Sequence, residues 1–164
     1  MALGGVLVAI AGVVAAFATV FVQHLDQQDL MRIQVSIEMV KLYDSPDLRR
    51  ARTNFSRALL KGTGVVRDER VLDFFETLAL YFEQDRIDAD SVYVNFSYPI
   101  ARYWAASKDA VYAMRAAEAD DELYRGFEEL NEKIGAYSNE PAGQRSLTAE
   151  RTRRFLQDEA ALPR

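Results

Sequence analysis

The sequence predicts an all-α protein in which an N-terminal transmembrane helix continues into a small cytoplasmic helical bundle. Three observations predict it. Residues 2–22, ALGGVLVAIAGVVAAFATVFV, form a run with no charge and no proline. At about 1.5 Å per helical residue, such a run covers roughly the 30 Å hydrocarbon thickness of a bilayer. Behind it, apolar residues recur at spacings of three and four between capping residues. One stretch alternates like a strand, Val92, Val94, Phe96 and Tyr98, and no second such run exists to pair with it. The chain therefore divides into an anchor at 1–22, a helical bundle at 23–135, and a polar linker with a weak C-terminal helix at 136–164.

Each Leu, Ile, Val and Phe of the first element favours insertion by roughly 0.3–0.6 kcal/mol, and no Lys, Arg or Asp imposes its penalty of about 3 kcal/mol. A cleaved secretory signal ranks second. Ala16-Phe17-Ala18 has the small-x-small form of a cleavage site, but Met1 to Gly5 offers no Lys or Arg for a basic leader. A buried core helix ranks last, because the run is apolar all round. Gly5, Ala9, Gly12, Ala16 and Thr19 line one face, where small residues let a second helix approach. In a segment this rich in Gly and Ala, chance is the simpler account of that stripe. Arg32, Lys41, Arg49, Arg50 and Arg52 all follow the run and no basic side chain precedes it, which places the bundle in the cytoplasm.

From Gln23 to Tyr43 there is no Gly or Pro, so the helix is expected to run on. Gln34, Glu38 and Lys41 form a narrow polar stripe. Met31, Val35, Met39 and Leu42 lie on one side of it and Leu30, Ile33, Ile37 and Val40 on the other, which predicts packing on both flanks. His24, the single histidine, reads as an interfacial residue.

Ser45 and Pro46 are an N-cap and a first helical position, and they open a helix that Gly62 closes. Leu48, Ala51, Phe55 and Leu59 mark its buried face. Arg50, Arg57 and Lys61 are candidates for contact with anionic lipid, at about 1 kcal/mol per basic residue, although a solvated face is the simpler reading. Lys61-Gly62-Thr63-Gly64 lacks the spacing of a phosphate loop.

The stretch from Arg67 to Gln84 reads as the core helix, with Val71, Phe74, Phe75, Leu78 and Phe82 at three and four. Glu76 falls at the margin of its apolar face and needs a partner, for which Arg102 is the candidate. Asp88 caps a further helix through Val92, Phe96, Ile100 and Tyr103, kinked near Pro99. Half of the aromatic residues lie between Phe74 and Trp104, so the densest packing is expected there. A short helix near 108–118 follows, then one capped by Asp120 and ended by Gly135. Ser138 to Gly143 has linker composition, and 147–160 is either one weak helix or mobile. The sequons Asn54-Phe55-Ser56 and Asn95-Phe96-Ser97 fall in predicted helices and read as accidents.

A net charge of −5 argues against nucleic acid, whose phosphates need a dense basic surface. The absence of cysteine excludes disulfides, thiolate catalysis and Cys-ligated metals. The single histidine is expected at the membrane interface, away from any nucleophile, which excludes a Ser/His/Asp set, and one histidine cannot build the paired Glu-x-x-His motifs of a helical di-metal site. Asp73 and Glu76 are conceivable magnesium ligands that read more simply as solvated acids. No catalytic residue, metal or cofactor is assigned.

Several segments carry a family resemblance: Leu42-Tyr43-Asp44-Ser45-Pro46 with Arg49-Arg50-Ala51, Val71-Leu72-Asp73-Phe74-Phe75-Glu76, Ile87-Asp88 with Val92-Tyr93 and Phe96, Arg102-Tyr103-Trp104, and Tyr124 with Phe127-Glu128. In their order and spacing, from about Leu30 to Ile134, the chain resembles a bacterial family catalogued only as a domain of unknown function. The resemblance implies one N-terminal membrane helix in the bacterial inner membrane and a small all-helical domain. It implies no activity.

The expected function is a membrane-tethered helical interaction or scaffold module, with membrane lipid and a protein, or a second copy of itself, as partners. An enzyme is not the favoured reading. The alternative is a ligand sensor or enzyme with a site between the helices around Phe74 and Trp104, built from Glu76, Arg102, Tyr103 and Trp104. A third reading, an accessory subunit of a membrane assembly, requires an exposed apolar strip along Met31, Val35 and Leu42.

Overall fold

The computed structural model describes residues 28–62, 68–137 and 148–162. Six helices and no strand occur among them: α1 (28–43), α2 (Pro46–Leu60), α3 (Arg70–Glu83), α4 (Ala89–Glu118), α5 (Arg125–Tyr137) and α6 (Ala149–Ala160). The anchor at 1–22, His24 and the linker at 138–143 lie outside the described residues. Among those described, no helix is long and apolar enough to cross a membrane.

Local chemistry sets the ends of α2. The Ser45 hydroxyl accepts a hydrogen bond from the Leu48 amide at 3.2 Å, and Gly62 takes the left-handed conformation (φ 64°) just past the C-cap. α3 begins at Arg70, later than expected, with Glu69 as its N-cap. It ends in paired bonds from Arg86 N to Tyr81 O (2.8 Å) and from Asp85 N to Phe82 O (3.1 Å), around a left-handed Asp85 (φ 56°). Glycine usually fills that position, since it has no Cβ to clash.

α4 corrects the expectation of two helices. It runs unbroken for 30 residues with Pro99 inside it, and its Asp88 cap accepts from the Ser91 amide at 2.7 Å. Pro99 removes one donor, but Ile100, Tyr103, Trp104, Ser107 and Val111 are all buried, and no Gly or Pro follows to stop the helix. Nor does Asp120 cap α5. Its carboxylate accepts from Glu122 N within a turn, Tyr124 follows in the left-handed region (φ 56°), and α5 passes through Gly135 to Tyr137.

The core is a ring network that reaches every helix. Phe75 of α3 meets Tyr43 of α1 at 6.3 Å, Tyr103 of α4 at 5.6 Å, and stacks on Phe127 of α5 at 4.7 Å. Tyr103 in turn meets Phe55 of α2 at 5.8 Å and Phe155 of α6 at 4.9 Å. The densest packing thus falls where the aromatic residues cluster in sequence. α1 lies antiparallel to α3: Tyr43 packs at the start of α3, and Arg32 bonds Asp85 past its end.

Two expectations about packing change. α1 is packed on one flank only. Met39 is buried and Val35, Val40 and Tyr43 lean on the core, whereas Leu30, Met31, Ile33, Ile37 and Leu42 face outward. The packed domain also extends beyond residue 135. The Thr148 hydroxyl accepts from the Arg151 amide at 3.2 Å to start α6, and Phe155, Leu156 and Glu159 are buried against α2 and α4.

Because Phe75 is fully buried and joins four helices by ring contact, Phe75→Ala should lower unfolding stability by about 3–5 kcal/mol. Urea denaturation of the purified chain checks this.

Candidate functional site

The four residues expected to share a site are turned toward different neighbours. Glu76 does not pair with Arg102. Its carboxylate accepts from two amides of α5's first turn, Gly126 N at 3.1 Å and Phe127 N at 2.8 Å. These N–H groups have no partner within their own helix, and a carboxylate there also faces the positive end of the helix dipole. Glu76 thus caps α5 from α3. The close approach requires Gly126, where a Cβ would lie 2.8 Å from Glu76 Oε1 and 3.2 Å from Ala79 Cβ.

Arg102 instead folds back on its own helix. Its guanidinium sits 3.4 Å from the Tyr98 ring centroid and donates to the Tyr98 carbonyl at 3.2 Å. Trp104 packs edge-on against Phe127 at 5.3 Å. Tyr103 points toward α6. Asp73 accepts from the Tyr124 hydroxyl at 3.2 Å, so it and Glu76 serve different donors and do not converge as metal ligands. Among the described residues, no three acidic or histidine side chains gather as a metal site.

One polar cluster went unassigned in the sequence, and it is the most buried. Arg52 of α2 and Glu159 of α6 form a bidentate pair, Nε to Oε2 at 2.7 Å and Nη2 to Oε1 at 2.9 Å. Tyr103 donates to the same Oε2 at 2.7 Å, and Arg52 Nη1 donates to the Tyr43 carbonyl at 2.9 Å while its plane lies 3.9 Å from that ring. The Thr53 hydroxyl donates to the Glu159 carbonyl at 3.3 Å. A carboxylate held by three side-chain donors has no free face from which to act on a substrate. Both residues do carry a sequence signal: Arg52 falls at three-and-four spacing with Leu48, Phe55 and Leu59, and Glu159 with Phe155 and Leu156. A charge inside an apolar stripe demands a partner.

The lipid-contact candidates also separate. Arg57 donates to the Ala160 carbonyl at 2.8 Å, closing the C-terminal end of α6, so its guanidinium is committed to the fold. Arg50 pairs with Asp47 at 2.5 Å on the surface, and Lys61 is exposed at the C-cap of α2. A groove of about 260 Å³ between α1, α2 and α3 is lined by Leu42, Leu48, Phe74 and Thr77, with Arg70 at its edge. Arg70 is already paired with Asp68, and none of Glu76, Arg102, Tyr103 or Trp104 borders this groove.

Burial, then the nearby Glu159 charge, holds the Tyr103 phenol well above its ordinary range, and burial does the same for Tyr43. For Tyr124, burial and the bond to Glu69 act together. For Arg52, burial opposes the charge, and the bond to Glu159 together with the surrounding Tyr43, Glu159 and Tyr103 groups outweighs it, so the guanidinium stays protonated. In the three phenols the folded state holds its proton more tightly than the unfolded chain. Their contribution to stability is complete below the ordinary value of 10.0 and is lost as pH rises above it. An alkaline titration followed by phenolate absorbance should show Tyr43, Tyr103 and Tyr124 ionising only with unfolding; smooth titration of all eight tyrosines would contradict this. Gly126→Ala should cost about 1–2 kcal/mol. In a Glu76→Ala background its cost should shrink, because part of it comes from displacing the cap, and a double-mutant cycle measures the difference.

No curated protein and no solved structure matches the chain. A family model does match, over residues 6–134, which takes in part of the apolar run and α1 through most of α5. The chain belongs to the family described as a domain of unknown function, DUF4760.

Proposed function

We propose that the chain is a membrane-tethered helical interaction module, held in the inner membrane by residues 2–22 with its bundle on the cytoplasmic side. The observation that carries this reading is α1. Five residues separate the uncharged run from its first described position, 28, and the helix leaves Leu30, Ile33 and Ile37 exposed at 66, 56 and 49%. A soluble domain has no reason to keep such a strip dry-faced unless something covers it. Support also comes from the family match, which starts at residue 6, inside the apolar run, and so treats the run and the bundle as one unit.

Chemistry gains no comparable support. Glu76 caps a helix, Glu159 is held by Arg52 and Tyr103, and Arg102 lies on Tyr98. Of the three basic candidates for lipid contact, Arg50 and Lys61 remain on the surface, Arg50 paired there with Asp47. The accessory-subunit reading has partial support of its own, since Met31 and Leu42 are exposed while Val35 is half-buried.

Cell fractionation tests the tether. The full chain should stay in the membrane pellet through alkaline carbonate washing, and deletion of residues 2–22 should release a bundle with unchanged helical circular dichroism. Recovery of the full chain, or of a form trimmed near residue 18, in a soluble extract would overturn the proposal.

A further inference from the structure

α6 is held mainly by polar groups. Of its 12 residues only Phe155, Leu156 and Glu159 are buried, and a helix of that length is marginal on its own, so its order comes from docking. The groups that receive it are held in place without it. Arg52 is fixed by its bond to the Tyr43 carbonyl at 2.9 Å and its stacking on that ring, and Tyr103 by Phe55 and Phe75 at 5.8 and 5.6 Å. When α6 lifts away, the Arg52 guanidinium and the Glu159 carboxylate return to water together, so neither is left buried and unpaired. The face that remains offers a guanidinium, a phenol hydroxyl and the Thr53 hydroxyl aimed at one residue, beside the Tyr98 and Tyr103 rings that Phe155 covers. Ser56 shares this stripe of α2, and its buried hydroxyl has no hydrogen-bond partner, so one polar group of the stripe is left unsatisfied with α6 in place. The family match takes in Arg52, Thr53 and Tyr103 and ends at residue 134, ahead of α6.

We infer that the face formed by α2 and α4 is a receptor for an acidic amphipathic helix, and that α6 is its intramolecular occupant, displaced when a partner protein presents such a helix. The partner's chemistry follows from the receptor's. An apolar pair covers the rings, and a carboxylate one turn further on meets Arg52 and Tyr103, the pattern of Phe155, Leu156 and Glu159. A helix without that carboxylate leaves the guanidinium desolvated and unpaired, and a basic one adds repulsion, so both are rejected. Because α6 is covalently attached, it competes at high effective concentration and keeps the face closed to weak ligands. A partner therefore needs a tighter fit, for which the Ser56 hydroxyl is an unused contact. The inference goes beyond the proposed function and does not rest on the tether, since it uses only contacts within the bundle.

The test uses the purified full chain and, as the probe, a fluorescent peptide of residues 148–162 read by anisotropy. Glu159→Lys in the chain sets like charges against each other at Arg52 and should release α6 while the remainder keeps a cooperative urea transition. This variant should bind the peptide at least about ten-fold more tightly than the wild-type chain, whose own α6 competes. The same peptide carrying Glu159→Ala should lose at least about ten-fold in affinity for the variant, because it leaves Arg52 without its carboxylate. In the wild-type chain, hydrogen exchange should show the α6 amides opening at least about ten-fold more often than those of α3, as a sub-global event. Equal peptide binding by variant and wild type, no binding by either, or indifference to the peptide's Glu159 would overturn the inference. So would loss of the cooperative transition in Glu159→Lys, or α6 exchange no faster than that of α3, since α6 would then be part of the fold and not its occupant.

Discussion

Contact between two rings, Phe75 and Tyr103, is the constraint on which the rest of the bundle depends. Through Phe75 the helices α1, α3 and α5 share one apolar centre, and through Tyr103 the helices α2, α4 and α6 join it. Neither ring can move without displacing partners on three other helices, and close-packed interiors do not deform gradually. The two residues differ in one atom that matters. The Tyr103 hydroxyl must be satisfied where it is buried, and Glu159 satisfies it.

The buried charge pair follows from that requirement. α6 offers the core little more than Phe155 and Leu156, so apolar burial alone gives it a weak address. Arg52, Tyr103 and Thr53 specify the address instead, and Arg57 closes the far end of the helix. A buried ion pair contributes less net stability than its geometry suggests, since desolvation offsets most of the attraction. What it does here is define which face of α6 docks and in which register. The Glu76 carboxylate plays the same part for α5 from the opposite side of the core.

What could be read from the sequence was whatever chemistry is local. The Ser45-Pro46 start, the Gly62 stop and the apolar face of α3 depend on neighbours within a turn or two, and they appear as expected; the choice left open between a weak helix and a mobile tail resolves to the helix α6. Long-range pairings were not legible. Glu76 announced that it needed a donor, but two backbone amides 50 residues away compete with Arg102 for it, and spacing does not say which is nearer. The fate of Pro99 was hidden for a similar reason, because whether a helix survives a missing donor depends on what is buried around it. Arg52 and Glu159 could have been flagged singly as charges in apolar stripes, but not as a pair. The outward flank of α1 looked like core because hydropathy records a preference for leaving water and does not record whether anything packs there.

Arg32 gives the position of α1 a further meaning. One end of the helix is gripped by Tyr43 among the rings of α3 and α4, and Arg32 reaches the carbonyl and carboxylate of Asp85, a residue held in a left-handed turn. Two clamps 11 positions apart leave the rod no freedom to spin about its own axis. Its outward side therefore has a fixed compass bearing relative to the bundle. Rotation imposed on α1 could not be absorbed as idle spin; it would be transmitted through Asp85 to the junction between α3 and α4.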